Sequence, residues 1–385
     1  MDETSLSLFD GSTEPTDSLQ GSDNANSNQI TFLCCGVDSL DVSLYVEWDD
    51  HWRDLSKRLD EGKAKAAGTE GIFFKGEDCL ILPSGKRPNF RWHLKWPLYD
   101  LFIGKSQLPL RSTPNAYASL SAESLWHEGI RGAVNRVVNQ IESFGGKVVR
   151  IKPSRADLAA DFLIPGGMDL EFLLAHRIPR NMLNSHHMNG DKLETFYLGS
   201  PDSPIRLRVY DKAVETLKHS HKLWFLDIWQ VDECRDIWRV EFQLRRTALK
   251  EMSVDSIDDL ESRIGGMWKY LTENWCSLRL PDNANTARRS VHPLWREVQN
   301  AASIFGKAVN VERARSEAGM DSEWYVSHIA GCLPGFAVAI KSDNLEDTLS
   351  KLVTRTKQYW ATRDFRERCQ IKAIKSGQEP LKRAA

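Results

Sequence analysis

The stretch Ser154-Arg155-Ala156-Asp157-Leu158-Ala159-Ala160-Asp161-Phe162 decides how the chain is read. In an extended strand alternate side chains share a face. Arg155, Asp157, Ala159 and Asp161 therefore point one way, and Ala156, Leu158, Ala160 and Phe162 point the other, toward a core. Two later segments have the same character. In Ile205–Lys212, Arg206, Arg208, Tyr210 and Lys212 oppose Ile205, Leu207 and Val209. In Arg239–Arg245, Arg239, Glu241, Gln243 and Arg245 oppose Val240, Phe242 and Leu244. One aliphatic face and one ionisable face is the pattern of antiparallel strands wet on one side.

If these strands are neighbours, three carboxylates (Asp157, Asp161, Glu241), one phenol (Tyr210) and several cations converge. Carboxylate oxygens suit Mg2+ or Mn2+, and such an ion can polarise a phosphoryl oxygen. A tyrosine hydroxyl can attack phosphorus and keep the broken bond as a covalent ester. A free phenol titrates near pH ~10, so it needs activation, which Lys212 or a nearby arginine can supply. The plainer reading is a solvated face laced with cross-strand ion pairs. Spacing alone does not separate the two, nor does it establish that the strands are adjacent.

Outward from this centre, Leu40, Val42, Leu44, Val46 and Trp48 alternate with polar residues as another strand. A helix is expected over 52–65. Short strands are expected at 72–74, 79–82, 90–94, 98–103 and 117–120, separated by Gly, Pro and Asn signals. A helix spans about 122–144, with Leu125, Trp126, Gly129, Ile130, Ala133, Val134, Val137, Val138 and Ile141 on one stripe. Ser121 can cap its start and Gly145-Gly146 its end. The strand of 148–162 follows, then a helix at 169–176, a loop holding His186-His187, and strands at 195–198, 205–210 and 238–245. From Ile257 the texture is helical, with Leu260, Ile264, Met267, Trp268, Leu271 and Trp275 on one face. No sequence repeat is visible. These elements predict an α+β fold: a largely antiparallel sheet with packed helices and a helical C-terminal region. Residues 1–30 read as a disordered tail, 31–250 as the catalytic domain, 251–362 as a helical region, and 363–385 as a polar tail.

Composition bounds the partners. Among 385 residues, 51 basic side chains face 53 acidic ones for a net charge of −2, so a nucleic-acid surface has to be a local concentration of Lys and Arg. Seven scattered cysteines without a CxxC pair imply neither a disulfide framework nor a cysteine zinc site, which fits a reducing cytoplasm. The N-terminus has no apolar signal core. The run Ile329–Ile340 is too short to span a membrane and, with Gly331, Pro334 and Gly335, reads as a buried helix with a break. Trp126, Trp268 and Trp275 read as core. Trp92 and Trp96, set among Arg91, His93 and Lys95, could stack on bases or belong to an amphipathic edge strand.

In order and approximate spacing the motifs resemble those of the replication initiation factor family of plasmids and filamentous phages. Ser154–Phe162 is similar to its Arg-x-Asp-Leu-x-x-Asp strand, Phe196–Ser200 to its Tyr-x-Gly-Ser segment, and Arg208–Lys212 to its Arg-x-Tyr-Asp-Lys element, followed by Glu215. Trp238–Glu241 is similar to its Arg-Val-Glu strand, and Val37–Leu40 to its opening strand. The likeness spans roughly residues 36–250, and more loosely the helical region to about 340.

The resemblance implies a replication-initiator endonuclease-like sheet that lacks a His-hydrophobic-His metal motif. It implies a rolling-circle initiator that nicks and rejoins one strand at an origin through a 5′-phosphotyrosine. Tyr210 is then the nucleophile, with Arg208 and Lys212 beside it in the catalytic set, and Tyr197 is the rival nucleophile. Asp157, Asp161 and Glu241 are the ligands of Mg2+ or Mn2+, and Arg155, Arg206, Arg239 and Arg245 the contacts to DNA. Arg155 and Arg239 could instead form buried ion pairs with strand carboxylates. Double- and single-stranded DNA are the implied partners, with host helicase and polymerase, and a homodimer is a further candidate. Arg288-Arg289 and Arg313/Arg315 are weaker candidates for an origin reader. The alternatives are a relaxase serving transfer of an integrative element, and an origin-binding regulator without chemistry.

Overall fold

The computed structural model describes residues 30–231, 233–307, 309–313 and 322–375. Residues 1–29 of the expected disordered tail, Arg315 and the end of the polar tail lie outside the described residues. One half of the chain runs β1 (Thr31–Trp48), α1 (Trp52–Lys65), β2 (Ile72–Phe73), β3 (Leu80–Leu82), β4 (Phe90–Lys95), β5 (Tyr99–Gly104), β6 (Ala116–Leu120) and α2 (Ala122–Ser143). A second long strand then opens a similar course. It comprises β7 (Gly146–Leu163), α3 (Leu170–His176), β8 (Arg177–Pro179), β9 (Asn184–Asn189), β10 (Lys192–Leu198), β11 (Ile205–Asp211), α4 (Lys212–Val214), α5 (Phe225–Trp229), β12 (Ile237–Arg245), α6 (Arg246–Glu251) and α7 (Ile257–Tyr270). β13 (Cys276–Leu278), α8 (Pro293–Asn300), α9 (Ala302–Phe305), α10 (Ser322–Ala339), α11 (Leu345–Trp360) and α12 (Phe365–Lys375) complete the described chain.

The described strands form an antiparallel sheet ordered β2-β3-β4-β5-β6-β1-β7-β12-β11-β10-β9, beside a small β8–β13 pair. β1 and β7 pair along almost their full length at its centre. The two flanks mirror each other in register. Leu120 of β6 faces both Leu40 and Tyr99, and Leu244 of β12 faces both Ala156 and Ile205. The fold is thus a duplicated unit of long strand, helix, meander and helix, which no sequence repeat announced. The α+β class, the antiparallel sheet and the helical C-terminal region all agree with the sequence reading.

The alternation does what period-two patterning requires. Ala156, Leu158, Ala160 and Phe162 enter one core with Val240, Phe242 and Leu244 and with Leu40, Val42 and Leu44. α7 covers that face, and Trp268 and Trp275 meet the Phe242 ring edge-on at 5.5 and 6.0 Å. Because 257–302 supply this same core, the boundary drawn at 250 does not separate two cores.

Several expectations are corrected. The stripe over 122–144 is broken at Gly129, whose φ of 72° leaves the helical region. The turn before the break carries Trp126 out of the main core to the ionisable side of the sheet. There its ring lies against Gly36, where an added Cβ would sit 3.2 Å from the indole. His186 and His187 are exposed but lie in strand β9, paired with Phe196 and Thr195. The run at 329–340 is an exposed helix, not a buried one, with Ile329 54% and Val338 78% accessible. Trp92 is buried and donates to Asp60 at 2.8 Å, which removes it from base stacking. Trp96 stacks on Tyr99 at 4.8 Å.

Candidate active site

β7, β12 and β11 are consecutive in the sheet, so their ionisable faces do converge. Arg208 is registered opposite Glu241, and Glu241 opposite Ala159; Tyr210 is opposite Arg239, and Arg239 opposite Asp161. Neighbouring strands lie ~4.8 Å apart, so these side chains meet in two clusters.

The outer cluster lines an open cavity of about 580 Å³ bounded by Arg155, Asp157, Arg208, Tyr210, Lys212 and Glu241 among others. Arg155 grips Asp157 with two donors, at 2.9 and 2.5 Å. Arg208 gives one nitrogen to Asp157 at 2.7 Å and also reaches Glu241 Oε1. The half-buried Tyr210 donates its hydroxyl proton to Glu241 Oε2 at 2.9 Å. Burial, and then the Glu241 charge, push the Asp157 carboxyl up to about 7 against the pull of both guanidiniums.

Tyr210 itself is driven well above the ordinary phenol range, first by burial and then by the Glu241 carboxylate. This corrects the expectation that nearby cations would acidify it. Arg239 and Arg208 do act in that direction but are outweighed. Lys212 is buried, with burial and then Arg239 lowering its pKa. It is held by Glu215 and lies over the Phe225 ring at 4.6 Å and the Tyr210 ring at 5.8 Å. Asp211 is not part of the cluster; its carboxylate caps the helical turn after the strand through Val214 N at 2.8 Å. The Asp-Lys step of the motif is therefore where β11 stops and the covering segment begins.

The inner cluster is buried at Asp161 and Arg239, and of its carboxylates Asp38 also reaches the cavity. Asp161 accepts from Arg239 at 2.6 and 2.7 Å and from the Trp229 indole at 2.8 Å. Arg239 also reaches Asp38, which takes the Trp126 indole at 3.1 Å. Phe225 and Trp126 lie over the guanidinium at 4.7 and 5.7 Å. A second apolar cluster of Ala213, Phe225, Trp229 and Ile237 roofs it. Arg239 is wholly inaccessible, so its assignment as a DNA contact is corrected: it is the buried ion pair. The sequence left the choice between ion pair and DNA contact open because the roof comes from 212–229, whose aromatic residues carry no strand pattern.

The three carboxylates read as metal ligands divide accordingly. Asp161 has both oxygens engaged beneath the roof. Asp157 and Glu241 reach the cavity, but their oxygens are held by Arg155, Arg208 and Tyr210. No group of three or more His, Cys, Asp or Glu converges as a metal site among the described residues. The arrangement therefore does not fit Mg2+ or Mn2+ as a three-carboxylate site.

Arg206 lies over the Tyr197 ring at 4.1 Å, and Tyr197 is registered opposite Arg208 on the same face. The rival tyrosine thus sits one strand further out. The Nε groups of Arg206 and Arg208 have no hydrogen-bond partner among the described residues. Arg245 is exposed and gives one nitrogen to Pro201 O at 2.7 Å. It is registered opposite Arg155. Arg313 is bound to Glu251 at 2.5 Å. Arg288 ends a short turn at 286–288, and Arg289 donates to Asn283 O at 2.9 Å.

No family model and no curated protein matches the chain. Among solved structures, the chain is similar to a rolling circle replication initiator protein from Geobacillus stearothermophilus, at 15% identity and a TM-score of 0.43. That likeness covers 74% of this chain and 100% of that one. It is also similar to Methanococcus jannaschii TBP, at 10% identity and a TM-score of 0.25, over 59% of this chain and 91% of that one.

Proposed function

We propose that the protein nicks and rejoins one DNA strand through a tyrosyl ester on Tyr210, as a rolling-circle replication initiator does. The observation that carries this reading is the Tyr210 hydroxyl hydrogen-bonded to Glu241 in a cavity walled by Arg155 and Arg208. A phenol raised above its ordinary ~10 is almost never ionised at neutral pH, so its proton has to move during the attack. Glu241 is positioned to receive it. The Tyr210 oxygen forms a bond to phosphorus, the bond from phosphorus to the 3′ oxygen breaks, and that oxygen takes a proton from water. The 5′ phosphate stays on the tyrosine. Rejoining reverses these steps, with the 3′ hydroxyl attacking and Glu241 returning the proton. Arg155 and Arg208 place positive charge where the phosphoryl oxygens gain negative charge. The ordered motifs of the sequence support the same reading.

The test is incubation with supercoiled DNA of the replicon that encodes the chain, with and without Mg2+ or Mn2+, followed by a denaturing gel. Wild type and Tyr197→Phe give nicked circles bearing protein, and Tyr210→Phe gives none. A second reading, an origin-binding regulator without chemistry, is favoured by one observation: Asp157 and Glu241 are both already paired with arginine. Tight DNA binding with no nick under any of these conditions would decide for it. A relaxase for transfer shares the chemistry and differs only in the DNA that is cut.

A further inference from the structure

Gly104 stands where Tyr210 stands in the other half. Counted from the equivalent pair Leu120 and Leu244, Phe102 matches Arg208, Tyr117 matches Glu241, Asp41 matches Asp157 and Asn115 matches Arg239. The first half therefore holds a counterpart of the candidate active site, with its chemistry replaced. Its phenol, Tyr117, donates to Asp41 at 2.7 Å and lies under the Lys86 ammonium at 3.9 Å. Its buried amide, Asn115, bonds the backbone N–H and carbonyl of Val46, each at 2.8 Å. That bridge fixes the end of β1 as Arg239, through Asp161, fixes the end of β7.

At this counterpart lies an open cavity of about 870 Å³ whose lining includes Lys63, Lys86, Arg87, Arg91 and Lys105 and no carboxylate. Of these five cations only Arg91 forms an ion pair among the described residues, with Asp60 at 2.6 Å. Lys63 gives its ammonium to the Arg91 carbonyl at 2.6 Å. Burial lowers the pKa of Lys86 against the pull of Asp41, so its ammonium lies in a poorly hydrated wall. The hairpin presenting Lys86 and Arg87 is closed by two backbone bonds between Lys86 and Phe90, at 2.9 and 3.0 Å. A Cβ on Gly85 would fall 2.2 Å from the Phe90 carbonyl oxygen, so this close approach admits only glycine. Unpaired cations in a concavity focus a field that selects polyanions. Without an acid in the lining the cavity suits phosphate and not a metal ion.

We infer that the cavity of Lys86, Arg87 and Lys105 is a second, non-cleaving phosphodiester site that holds the DNA backbone away from the cut bond. This rests on the reading of the Tyr210 cavity as a site of DNA cleavage. The duplication supplies the site, and loss of the nucleophile at Gly104 leaves it to bind only.

The test uses the full chain and three proteins: wild type, the charge-removing triple Lys86→Met/Arg87→Gln/Lys105→Gln, and a control triple on α11, Lys351→Met/Arg355→Gln/Lys357→Gln. Methionine keeps an apolar stem over the Phe102 and Tyr117 rings. Binding of a fluorescent duplex, and of a single strand of the same sequence, is titrated against salt. The inference expects the cavity triple to lose about 2 to 3 from the slope of log K against log salt, at ~0.9 per duplex phosphate or ~0.7 per single-strand phosphate. The probe that responds names the source of the phosphates. The α11 triple keeps the wild-type slope, and the tyrosyl adduct still forms in the cavity triple at saturating DNA. A cavity triple with the wild-type slope on both probes, or an α11 triple losing as much, overturns the inference. Failure of the cleavage reading looks different: wild type binds DNA and forms no adduct. Wild type without DNA affinity overturns both.

Discussion

The Tyr210 hydroxyl hydrogen-bonds Glu241 Oε2 at 2.9 Å across adjacent strands β11 and β12. In the proposed mechanism this bond makes Glu241 the proton acceptor of the attack. Glu241→Gln keeps the shape and a hydrogen-bonding oxygen but cannot take the proton. It should slow nicking by about 10²–10⁴-fold, the usual contribution of general base catalysis. DNA affinity should stay near wild type. Single-turnover nicking beside an equilibrium binding curve separates the two effects.

Nicking should also depend on pH in a defined direction. Asp157 is raised to about 7 by burial and the Glu241 charge, so it ionises as pH climbs through 7. Ionised Asp157 anchors Arg155 and Arg208 by charge at the cavity wall, and the rate should rise as pH passes upward through 7. Asp157→Asn, which cannot ionise, should flatten that rise. The same shift has a stability consequence. A carboxyl raised in the fold from 3.8 to about 7 contributes stability below pH ~4, and this is lost as pH climbs toward 7. Urea midpoints between pH 4 and 8 should therefore depend less on pH in Asp157→Asn.

Arg239 is predicted to matter for stability and not for DNA contact. Arg239→Met leaves Asp161 and Asp38 under the aromatic roof without their cation, and breaking such a buried pair costs about 3–5 kcal/mol. The double variant Arg239→Met/Asp161→Leu should recover part of that loss. Urea denaturation of the two variants measures it. A fully stable Arg239→Met protein with weakened DNA binding would place this residue in the interface after all.

Asp161→Asn should behave like Arg239→Met and unlike Glu241→Gln. It should lower the unfolding midpoint while leaving any response of nicking to Mg2+ or Mn2+ unchanged, because both Asp161 oxygens face Arg239 and Trp229. Metal titrations of the rate in wild type and variant check this.

The faces of β7, β11 and β12 were legible because a strand with one apolar and one ionisable face writes it as alternation, although the ionisable face of β12 is itself buried. Leu158 and Val209 had to point inward, and Asp157 and Tyr210 outward. Adjacency was not legible: nothing in Arg208 says that it lies beside Glu241. The duplication was hidden for a related reason. Equivalent core positions such as Val42 and Leu158, or Leu44 and Ala160, need only be apolar. Most equivalent outer positions diverged, as Gly104 and Tyr210 did, although Asp41 and Asp157 are the same residue. Burial of Arg239 was offered by the sequence only as an alternative, because it depends on Phe225 and Trp229, delivered by α5. α10 misled for the opposite reason. Its apolar run reads as core, yet its described side chains from 325 onward are largely exposed.

The most direct measurement is peptide mapping by mass spectrometry of the covalent complex trapped on a single-stranded oligonucleotide spanning the nick. The account predicts a nucleotide remnant linked through phosphate to Tyr210, in the peptide that contains Val209. A remnant on Tyr197, or no remnant from DNA that has been cut, would contradict it.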